Sequence, residues 1–345
     1  MSKIKIVIDI NHPAHVHLFK YVIAELRKRG HNVIITASQK DISFKLLDEY
    51  GFDYIRIGSY GDTLLQKLFK LFVLDFRMLR IVHKYKPDVL TGLGSFRAAH
   101  AGFLFGKKTI ILEDTEHATK EIALYKPFAT KILTPSCFMT DLGSKQVRYE
   151  GFHELAYLHP KYFKADPSVL DSLGVTQKEK FVIIRFVSWR ASHDVGQHGF
   201  ADEQKLNFIK ELSKYARCYI TSEAPLPAEL EPYQLKVPVH QIHHLMAFAS
   251  LYVGEGATMA SESAVLGVPA VYVNTLKLGY INMHEEYGLL KQTTDTQQAL
   301  QYCIGWLTDP ASKQKCAAAR EKLLADKIDV TDYLVTIIER IGEAS

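Results

Sequence analysis

The sequence predicts an α/β protein made of two Rossmann-like parallel-sheet domains facing a cleft. Two observations indicate the two sheets: short apolar runs alternate with segments of helical apolar spacing, and this alternation pauses near residue 160 before it restarts. In addition, 345 residues are many for a single core. Because open parallel sheets bind ligands beyond the carboxyl ends of their strands, both domains are expected to contribute loops to the cleft.

Residues 1–160 are predicted to form the first domain. Its strands are predicted at Ile4–Ile10, Asn32–Ala37, Tyr54–Ile57, Val89–Thr91, Thr109–Leu112, Lys131–Thr134 and Val147–Tyr149. Its helices are predicted at Leu18–Arg29, Ile42–Glu49, Thr63–Tyr85, Ser95–Phe105 and Ile122–Phe128. Lys161–Pro167 is predicted to be a linker.

Residues 161–327 are predicted to form the second domain. Its strands are predicted at Phe181–Phe186, Cys218–Thr221, Leu251–Val253 and Ala270–Val273. Its helices are predicted at Glu203–Ala216, Ile242–Ser250, Thr258–Leu266, Thr296–Leu307 and Ser312–Asp326. A last helix, Thr331–Ile341 within about residues 328–345, is predicted to pack back on the first domain.

Composition indicates a globular protein, with 47% hydrophobic and 23% charged residues. No apolar run is long enough to span a bilayer, and the amino terminus lacks the layout of a signal peptide. Four well-separated cysteines without a CxxC pair predict neither a disulfide framework nor a zinc knuckle. A net charge of +4 gives no support for a nucleic-acid partner. We therefore expect a cytoplasmic protein without a metal or other cofactor.

The segment Gly254–Pro269 predicts a nucleotide site in the second domain. A short strand here runs into a glycine-spaced turn and a helix, whose first N–H groups and dipole favour phosphate. Glu262 follows in the helix, at a position suited to accept the hydroxyls of a ribose. The alternative is an ordinary strand–turn–helix unit. The predicted nucleotide-binding residues are Gly254, Gly256, Ala257, Thr258, Met259 and Glu262.

Three histidines follow the first predicted strand: His12, His15 and His17. An imidazole with a pKa near 6.5 can take a proton from a hydroxyl nucleophile at neutral pH, so the loop is a candidate for a general base. Metal ligation is one alternative, although no nearby carboxylate or cysteine completes a ligand set. Structural or substrate-positioning histidines are the other alternative.

Carboxylates cluster after the predicted strand Thr109–Leu112, where Glu113, Asp114 and Glu116 could orient sugar hydroxyls or act as acid and base. The simpler interpretation is that Asp114 or Thr115 caps a helix, and one of them is expected to do so. On the acceptor side we place Asp114 with His12 and His17, and also His153 and Glu154, which lie where the alternation pauses.

A polar, glycine-bearing loop follows the first strand of the second domain and is a candidate for the phosphates of the donor. Its predicted contacts are Arg185, Trp189, His193, Asp194 and Gly196. The alternative is a mobile surface loop.

The predicted helix 63–85 carries a basic stripe. At about 100° per residue, Lys70, Arg77, Arg80 and Lys84 fall within an arc of about 80°, interleaved with apolar residues. Such a stripe suits an anionic membrane surface or a lipid-linked substrate, which would place the protein peripherally at the inner face of the cell membrane. A solvated helix face is the alternative.

The segment AHVHLFKYVIAELRKRGHNVIITAS resembles the opening of glycosyltransferases of the B-fold, and GATMASESAVLGVP resembles their donor-nucleotide motif. This resemblance implies that His15 is the catalytic base and that Glu262 holds the ribose. The whole pattern resembles domain of unknown function family 354 over most of the chain. The motifs that carry it are DINHPAHVH, LEDTEHA, LTPSCF, GFHELAYLHP, SWRASHDVG, ITSEAPLP and GEGATMASESAVLGVP.

Related enzymes imply two activities. Non-hydrolysing UDP-GlcNAc 2-epimerases have the same fold and a similar donor motif, but their His-x-Glu-Ala-Gly-Leu-Arg run is replaced here. MurG-type transferases have a glycine-rich amino-terminal loop where this chain has Asn11-His12-Pro13. We expect a metal-independent transferase that uses a nucleotide-sugar, most simply a UDP-sugar, with a saccharide or lipid-linked acceptor in cell-surface polysaccharide or glycolipid synthesis. The alternatives are a sugar-nucleotide 2-epimerase and a non-catalytic nucleotide-sugar-binding protein.

Overall fold

The computed structural model describes residues 2–40, 42–59, 64–187, 200, 202–222 and 225–344, with only the backbone for 64–68, 202 and 203. Within this part of the chain, two sheets of parallel strands form. The seven strands of the first sheet are β1 (Lys5–Ile10), β2 (Asn32–Gln39), β3 (Ile55–Ser59), β4 (Val89–Leu93), β5 (Lys108–Leu112), β6 (Lys131–Pro135) and β7 (Gln146–Tyr149). The five strands of the second are β8 (Phe181–Phe186), β9 (Arg217–Ser222), β10 (Leu251–Gly254), β11 (Ala270–Val273) and β12 (Leu290–Thr293).

Helices connect the strands and close the chain. They are α1 (Pro13–Lys28), α2 (Ser43–Glu49), α3 (Leu64–Tyr85), α4 (Phe96–Leu104), α5 (Thr119–Tyr125), α6 (Leu155–Leu158), α7 (Asp202–Leu212), α8 (Ile242–Met246), α9 (Ala257–Leu266), α10 (Gly279–Glu286), α11 (Thr296–Thr308), α12 (Ser312–Asp326) and α13 (Val330–Glu343). None of those that the structure describes is long and apolar enough to cross a membrane.

The chain forms two units, residues 1–157 with 328–345 and residues 158–327. The strand order of the first unit is β3-β2-β1-β4-β5-β6-β7, so the chain reverses its direction of growth between β1 and β4. The strand order of the second is β12-β11-β10-β8-β9, with the reversal between β8 and β10. The crevice beyond such a reversal is where open α/β sheets bind ligands.

The strands are largely apolar in sequence because both faces of each sheet are buried. In β1, every residue from Ile6 to Ile10 is buried, and Asp9 is the only charged residue among them. The last helix, α13, packs beside α1 in the first unit, where Glu339 accepts from Arg29 Nη1 at 2.8 Å. The Glu339 carboxylate also lies 2.9 Å from Nε2 of the buried His31.

The structure confirms the α/β class, and it adds three elements that the sequence did not predict, α6, α10 and β12. The prediction that Asp114 or Thr115 caps a helix is wrong. Helix α5 begins at Thr119, after Ala118, whose side chain makes no cap hydrogen bond. The reason is that the Glu113 carboxyl group accepts hydrogen bonds from the backbone N–H groups of Asp114 and Thr115. These two residues have no regular secondary structure, and a turn follows them before the helix begins.

Candidate functional site

A buried ion pair lies at the reversal point of the first sheet. Asp9 Oδ2 accepts from Arg97 Nη2 at 2.8 Å and from the Ser95 hydroxyl at 2.5 Å. Asp9 Oδ1 accepts from the Thr36 hydroxyl at 2.8 Å. Asp9 and Arg97 are both fully buried, so each charge depends on the other and on these hydrogen bonds. The pair ties the end of β1 to the start of α4, where Ser95 is the N-cap.

This pair was missed by the sequence analysis. Each residue carried a signal in the sequence, since Asp9 interrupts an apolar strand and Arg97 lies in the otherwise apolar start of a helix. A charge at a buried position needs a partner, and two such positions in one domain are candidates to pair. Their 88-residue separation along the chain kept them from being matched.

Helix α1 gives the three histidines after β1 different surroundings. His12 is the N-cap of this helix, and its Nδ1 accepts from the N–H of Ala14 at 3.2 Å. His15 is buried in the first turn, with its ring centroid 5.8 Å from that of His12. His17 points elsewhere, because its ring stacks on Tyr157 at 5.6 Å and its Nδ1 lies 3.3 Å from the Tyr50 hydroxyl.

His15 has the electrostatics of a neutral base. Burial lowers the pKa of His15 well below its ordinary value, and the nearby His12 and Lys40 lower it further. Its Nδ1 is buried, and among the described residues no hydrogen-bond partner meets it. A buried imidazole nitrogen of this kind is suited to receive a proton from, or donate a hydrogen bond to, a ligand.

His153, which follows β7, forms a second imidazole site. Its Nδ1 lies 2.8 Å from Asp114 Oδ2, and it contributes to the lowered pKa of His15. Burial opposes ionisation of Asp114, yet the interaction with His153 and the hydrogen bond from Thr115 keep the pKa of Asp114 below its usual value. The structure therefore brings Asp114 together with His153, and His153 is near enough to His15 to influence its charge.

The neighbouring carboxylates serve the backbone of the first unit. Glu113 Oε1 accepts from the N–H groups of Asp114 at 3.1 Å and Thr115 at 3.0 Å, while the Tyr125 hydroxyl lies 2.7 Å from Oε2. Burial and the charge of Asp114 raise the pKa of Glu113 to about 8, so it keeps its proton at neutral pH. Glu116, also buried, accepts from the N–H of Met139 at 3.1 Å.

Glu154 is the remaining acidic residue predicted for the acceptor side. It is buried, directly beside His153 in the turn that leads into α6.

In the second unit, the predicted nucleotide turn lies at the reversal point of the sheet. Gly254 ends β10, and a Cβ there would come within 2.6 Å of the Arg185 carbonyl oxygen, so close strand packing requires this glycine. Gly256 is the N-cap of α9, and Ala257, Thr258 and Met259 form its first turn, where backbone N–H groups lack helical acceptors. The helix ends at Gly267, whose φ of +78° favours glycine.

Glu262 lies further along α9. It is buried, and its Oε1 lies 2.9 Å from Nε2 of the buried His243 on α8. Arg185, the predicted donor-side cation, donates from Nη1 to the Thr221 hydroxyl at 2.7 Å. The other predicted contacts of this loop, Trp189, His193, Asp194 and Gly196, lie outside the described residues.

Glu255 is a third residue that the sequence analysis missed. Its carboxylate accepts from the N–H of Val187 at 2.8 Å and from the N–H of Phe200 at 2.7 Å. It thereby joins the two chain positions that flank residues 188–199. Its own carbonyl oxygen accepts from the Asn274 side chain at 3.0 Å, which also ties it to β11.

The alternative of metal ligation gains no geometric support from the described ranges, in which no group of three or more histidine, cysteine or acidic side chains is arranged to hold a metal ion. His17 in particular is directed to Tyr50 and Tyr157 instead of His15.

Two curated relatives match most of the chain. An uncharacterized protein of Methanocaldococcus jannaschii is 25% identical over 317 residues, covering 88% of this chain and 91% of the relative. The UDP-N-acetylglucosamine–N-acetylmuramyl-(pentapeptide) pyrophosphoryl-undecaprenol N-acetylglucosamine transferase of Blochmanniella floridana is 24% identical over 287 residues, covering 76% of this chain and 73% of the relative.

Solved structures show the same fold at low sequence identity. The glycosyltransferase VinC in complex with dTDP has a TM-score of 0.65 and 12% identity, covering 99% of this chain and all of that one. The UDP-GlcNAc 2-epimerase of Neisseria meningitidis bound to UDP-GlcNAc has a TM-score of 0.65 and 12% identity, covering 97% of this chain and all of that one. The protein therefore has the fold shared by B-fold glycosyltransferases and these epimerases.

The resemblance to domain of unknown function family 354 is confirmed. The model of the family described as protein of unknown function DUF354 matches residues 4–336, which include both sheets and the residues of both candidate sites. The chain belongs to this family.

Proposed function

We propose that the protein is a metal-independent glycosyltransferase whose donor is a nucleotide-diphosphate sugar, most simply a UDP-sugar. The observation that carries the proposal is the pairing in α9 of an open first turn with a carboxylate, Glu262, that His243 holds in place. The first turn suits a phosphate, and the carboxylate suits ribose hydroxyls. Both lie beyond the reversal point of a parallel sheet.

On the donor side, the N–H groups of residues 257–259 would bind the diphosphate, and Glu262 would accept from the ribose. Arg185 would balance the charge of the leaving diphosphate, and Trp189, His193, Asp194 and Gly196 stay as predicted contacts of the donor. Oriented N–H groups and a guanidinium stabilise such a charge without reorganising during the reaction.

On the acceptor side, His15 would act as the general base. Its lowered pKa keeps it neutral at pH 7, so it can take the proton of an acceptor hydroxyl as that oxygen attacks the anomeric carbon of the sugar. The bond from that carbon to the diphosphate oxygen breaks, and the nucleoside diphosphate leaves. Glu113 and Glu116, assigned to orient sugar hydroxyls, would act through the backbone that their carboxyl groups hold.

His153 is the second candidate for the base. With Nδ1 directed at Asp114, its Nε2 is the nitrogen available to face an acceptor, an arrangement known to orient catalytic imidazoles. Since His153 influences the charge of His15, we propose that either could accept the proton while the other donates a hydrogen bond to the acceptor.

An epimerase is the alternative, supported by the structural similarity to a UDP-GlcNAc 2-epimerase and by the Asp114 carboxylate beside the His153 imidazole. Epimerisation would exchange a carbon-bound hydrogen of the sugar with solvent. Deuterium from D₂O in the recovered sugar would therefore identify an epimerase, and its absence during turnover would favour transfer. A binding protein would show affinity without either reaction.

The acceptor would be a saccharide or a lipid-linked saccharide, as the name of the Blochmanniella floridana relative indicates for that enzyme. Such an acceptor is consistent with a role in cell-surface polysaccharide or glycolipid synthesis. We also propose that the protein works in the cytoplasm, at the inner face of the cell membrane.

The test begins with a thermal-shift panel of UDP-, GDP-, CMP- and dTDP-linked sugars, because a ligand that binds the native state raises its stability. The donor found in this way is then titrated into Glu262→Ala and His15→Ala. The proposal expects Glu262→Ala to lose affinity, and His15→Ala to keep affinity while turnover falls. Normal binding and turnover in both variants would refute the site.

A further inference from the structure

Helix α3 presents three sides with different chemistry. Leu74, Met78 and Val82 are buried against the sheet of the first unit. On the opposite side, Phe69, Phe72 and Phe76 are exposed by 70%, 74% and 61%. At about 100° per residue these three rings fall within an arc of about 60°. We call them the phenylalanine face.

The basic residues found in the sequence border this face. Arg80 and Lys84 lie about 20° and 60° beyond Phe69 around the helix, and both are exposed. Arg77, which is further round, donates to the Ile57 carbonyl oxygen at 2.9 Å. Asp75 is the only carboxylate of α3, and it lies 2.9 Å from Nδ1 of His100. From Phe69 onward, the exposed side of α3 is thus apolar and positively charged.

The apolar surface continues onto α4, which packs beside α3. Phe103 and Leu104, at the end of α4, are exposed by 61% and 65%. Next to them is a groove of about 510 Å³ whose lining includes Arg80, His83, Lys84 and Phe105. The groove combines apolar walls with cationic groups, which suits the glycerol backbone and phosphate of an anionic lipid.

We propose that the phenylalanine face, with the basic side of α3 and this groove, docks the first unit onto an anionic lipid bilayer. Rings exposed on one helix side with cations alongside are the pattern of helices that lie in the interface of a membrane. The bilayer is favoured over a protein partner by charge: the flank is basic, and the single acidic group of α3 is paired within the unit. The docking is independent of the proposed transferase activity, since it needs no sugar-nucleotide.

The test is co-sedimentation of the whole protein with vesicles of phosphatidylcholine alone and of equal parts phosphatidylcholine and phosphatidylglycerol. The wild type is expected to bind the anionic vesicles. Phe69→Ser/Phe72→Ser/Phe76→Ser is expected to reduce that affinity at least about tenfold, because each ring loses its apolar burial. Tyr215→Ser, another exposed aromatic substitution but in the second unit, should bind as the wild type does.

Two variants with the same change of charge test whether binding depends on this surface or on the overall charge of the protein. Arg80→Glu/Lys84→Glu should lose the preference for anionic vesicles, whereas Lys178→Glu/Lys236→Glu, on exposed residues of the second unit, should keep it. Because every substituted side chain is exposed, circular dichroism should show unchanged folding in all variants. The proposal is overturned by absent wild-type binding, by unaltered binding of the triple variant, or by equal loss in both charge variants. If the wild type does not bind vesicles but forms a dimer, and the triple variant is a monomer, the phenylalanine face would instead bind a second copy of the chain.

Discussion

Glu262 Oε1 lies 2.9 Å from His243 Nε2, and both side chains are buried in the second unit. This contact joins α8 to α9 and sets the direction of the carboxylate proposed to hold a ribose. A buried carboxylate would lose more by being left unpaired than it gains from one hydrogen bond. The proposed ribose acceptor therefore depends on His243 for its position.

The first prediction concerns this pair. Glu262→Ala should weaken binding of the nucleotide-sugar at least about tenfold, because the ribose loses its acceptor. His243→Ala should weaken it by less, and His243→Gln should restore part of the affinity, since a glutamine can still donate a hydrogen bond to Glu262. Isothermal titration with the nucleotide found in the thermal-shift panel measures all three. Equal affinity of wild type and Glu262→Ala would remove Glu262 from the site.

The second prediction concerns the pH dependence of stability. The folded pKa of Glu113 is about 8, against an ordinary value of 4.5. Between these values the folded state holds a proton that the unfolded state has released, so the free energy of unfolding falls as pH rises. Glu113→Gln removes this group, and we expect its stability relative to the wild type to improve by on the order of 3 kcal/mol from pH 5 to pH 8.

Urea unfolding across this range measures the effect. Asp114 does not affect this measurement, because its pKa is lowered below the ordinary value of 3.8. Its contribution to the free energy of unfolding is fully present above that value and is lost only as the pH falls further. Parallel pH profiles of wild type and Glu113→Gln would show that Glu113 is ionised in the folded protein.

The third prediction is a double-mutant cycle on Asp9 and Arg97. Arg97→Met leaves the buried Asp9 carboxylate without its cation and should cost about 3–5 kcal/mol of unfolding free energy. Asp9→Asn/Arg97→Met should cost clearly less than the sum of the two single changes, because no buried charge is left. Additive costs would mean that the two groups stabilise the unit separately.

The strands were predictable where both faces of the sheet are covered, because such strands are almost wholly apolar. Strand β12, Leu-Lys-Gln-Thr, escaped prediction since it lies at the edge of the second sheet and has a single apolar residue. The sequence also placed His15 after β1, at the edge where parallel sheets bind ligands. The prediction that the helix begins only at Leu18 is wrong, because α1 begins at Pro13 and contains His15.

The contacts between site residues could not be predicted from a local sequence pattern. Asp114 was expected to cap a helix or to orient a sugar, and only the folded chain brings its carboxylate to His153, 39 positions later. The same holds for His243 and Glu262, which are 19 residues apart and belong to different helices. Sequence periodicity places a residue on a face or an edge, whereas the partner it meets there depends on how the elements pack.

The fourth prediction concerns Glu255, which joins Val187 and Phe200. Glu255→Ala removes the acceptor of two backbone N–H groups and should cost about 2–4 kcal/mol of unfolding free energy. Hydrogen exchange followed by mass spectrometry, with peptides that isolate these two amides, should show faster deuterium uptake at both. The amide of Leu235, which donates to the Ile220 carbonyl oxygen in the same unit, serves as the control and should be unchanged.

Glu255→Gln gives the finer test, because a glutamine side chain has one acceptor oxygen where the carboxylate has two. Only one of the two amides should then keep its protection, while its neighbour exchanges as in the alanine variant. Protection of both amides in the alanine variant would show that other groups hold these positions. Loss at both, combined with weaker nucleotide binding, would show that Glu255 positions the donor side of the proposed site through the backbone of Val187.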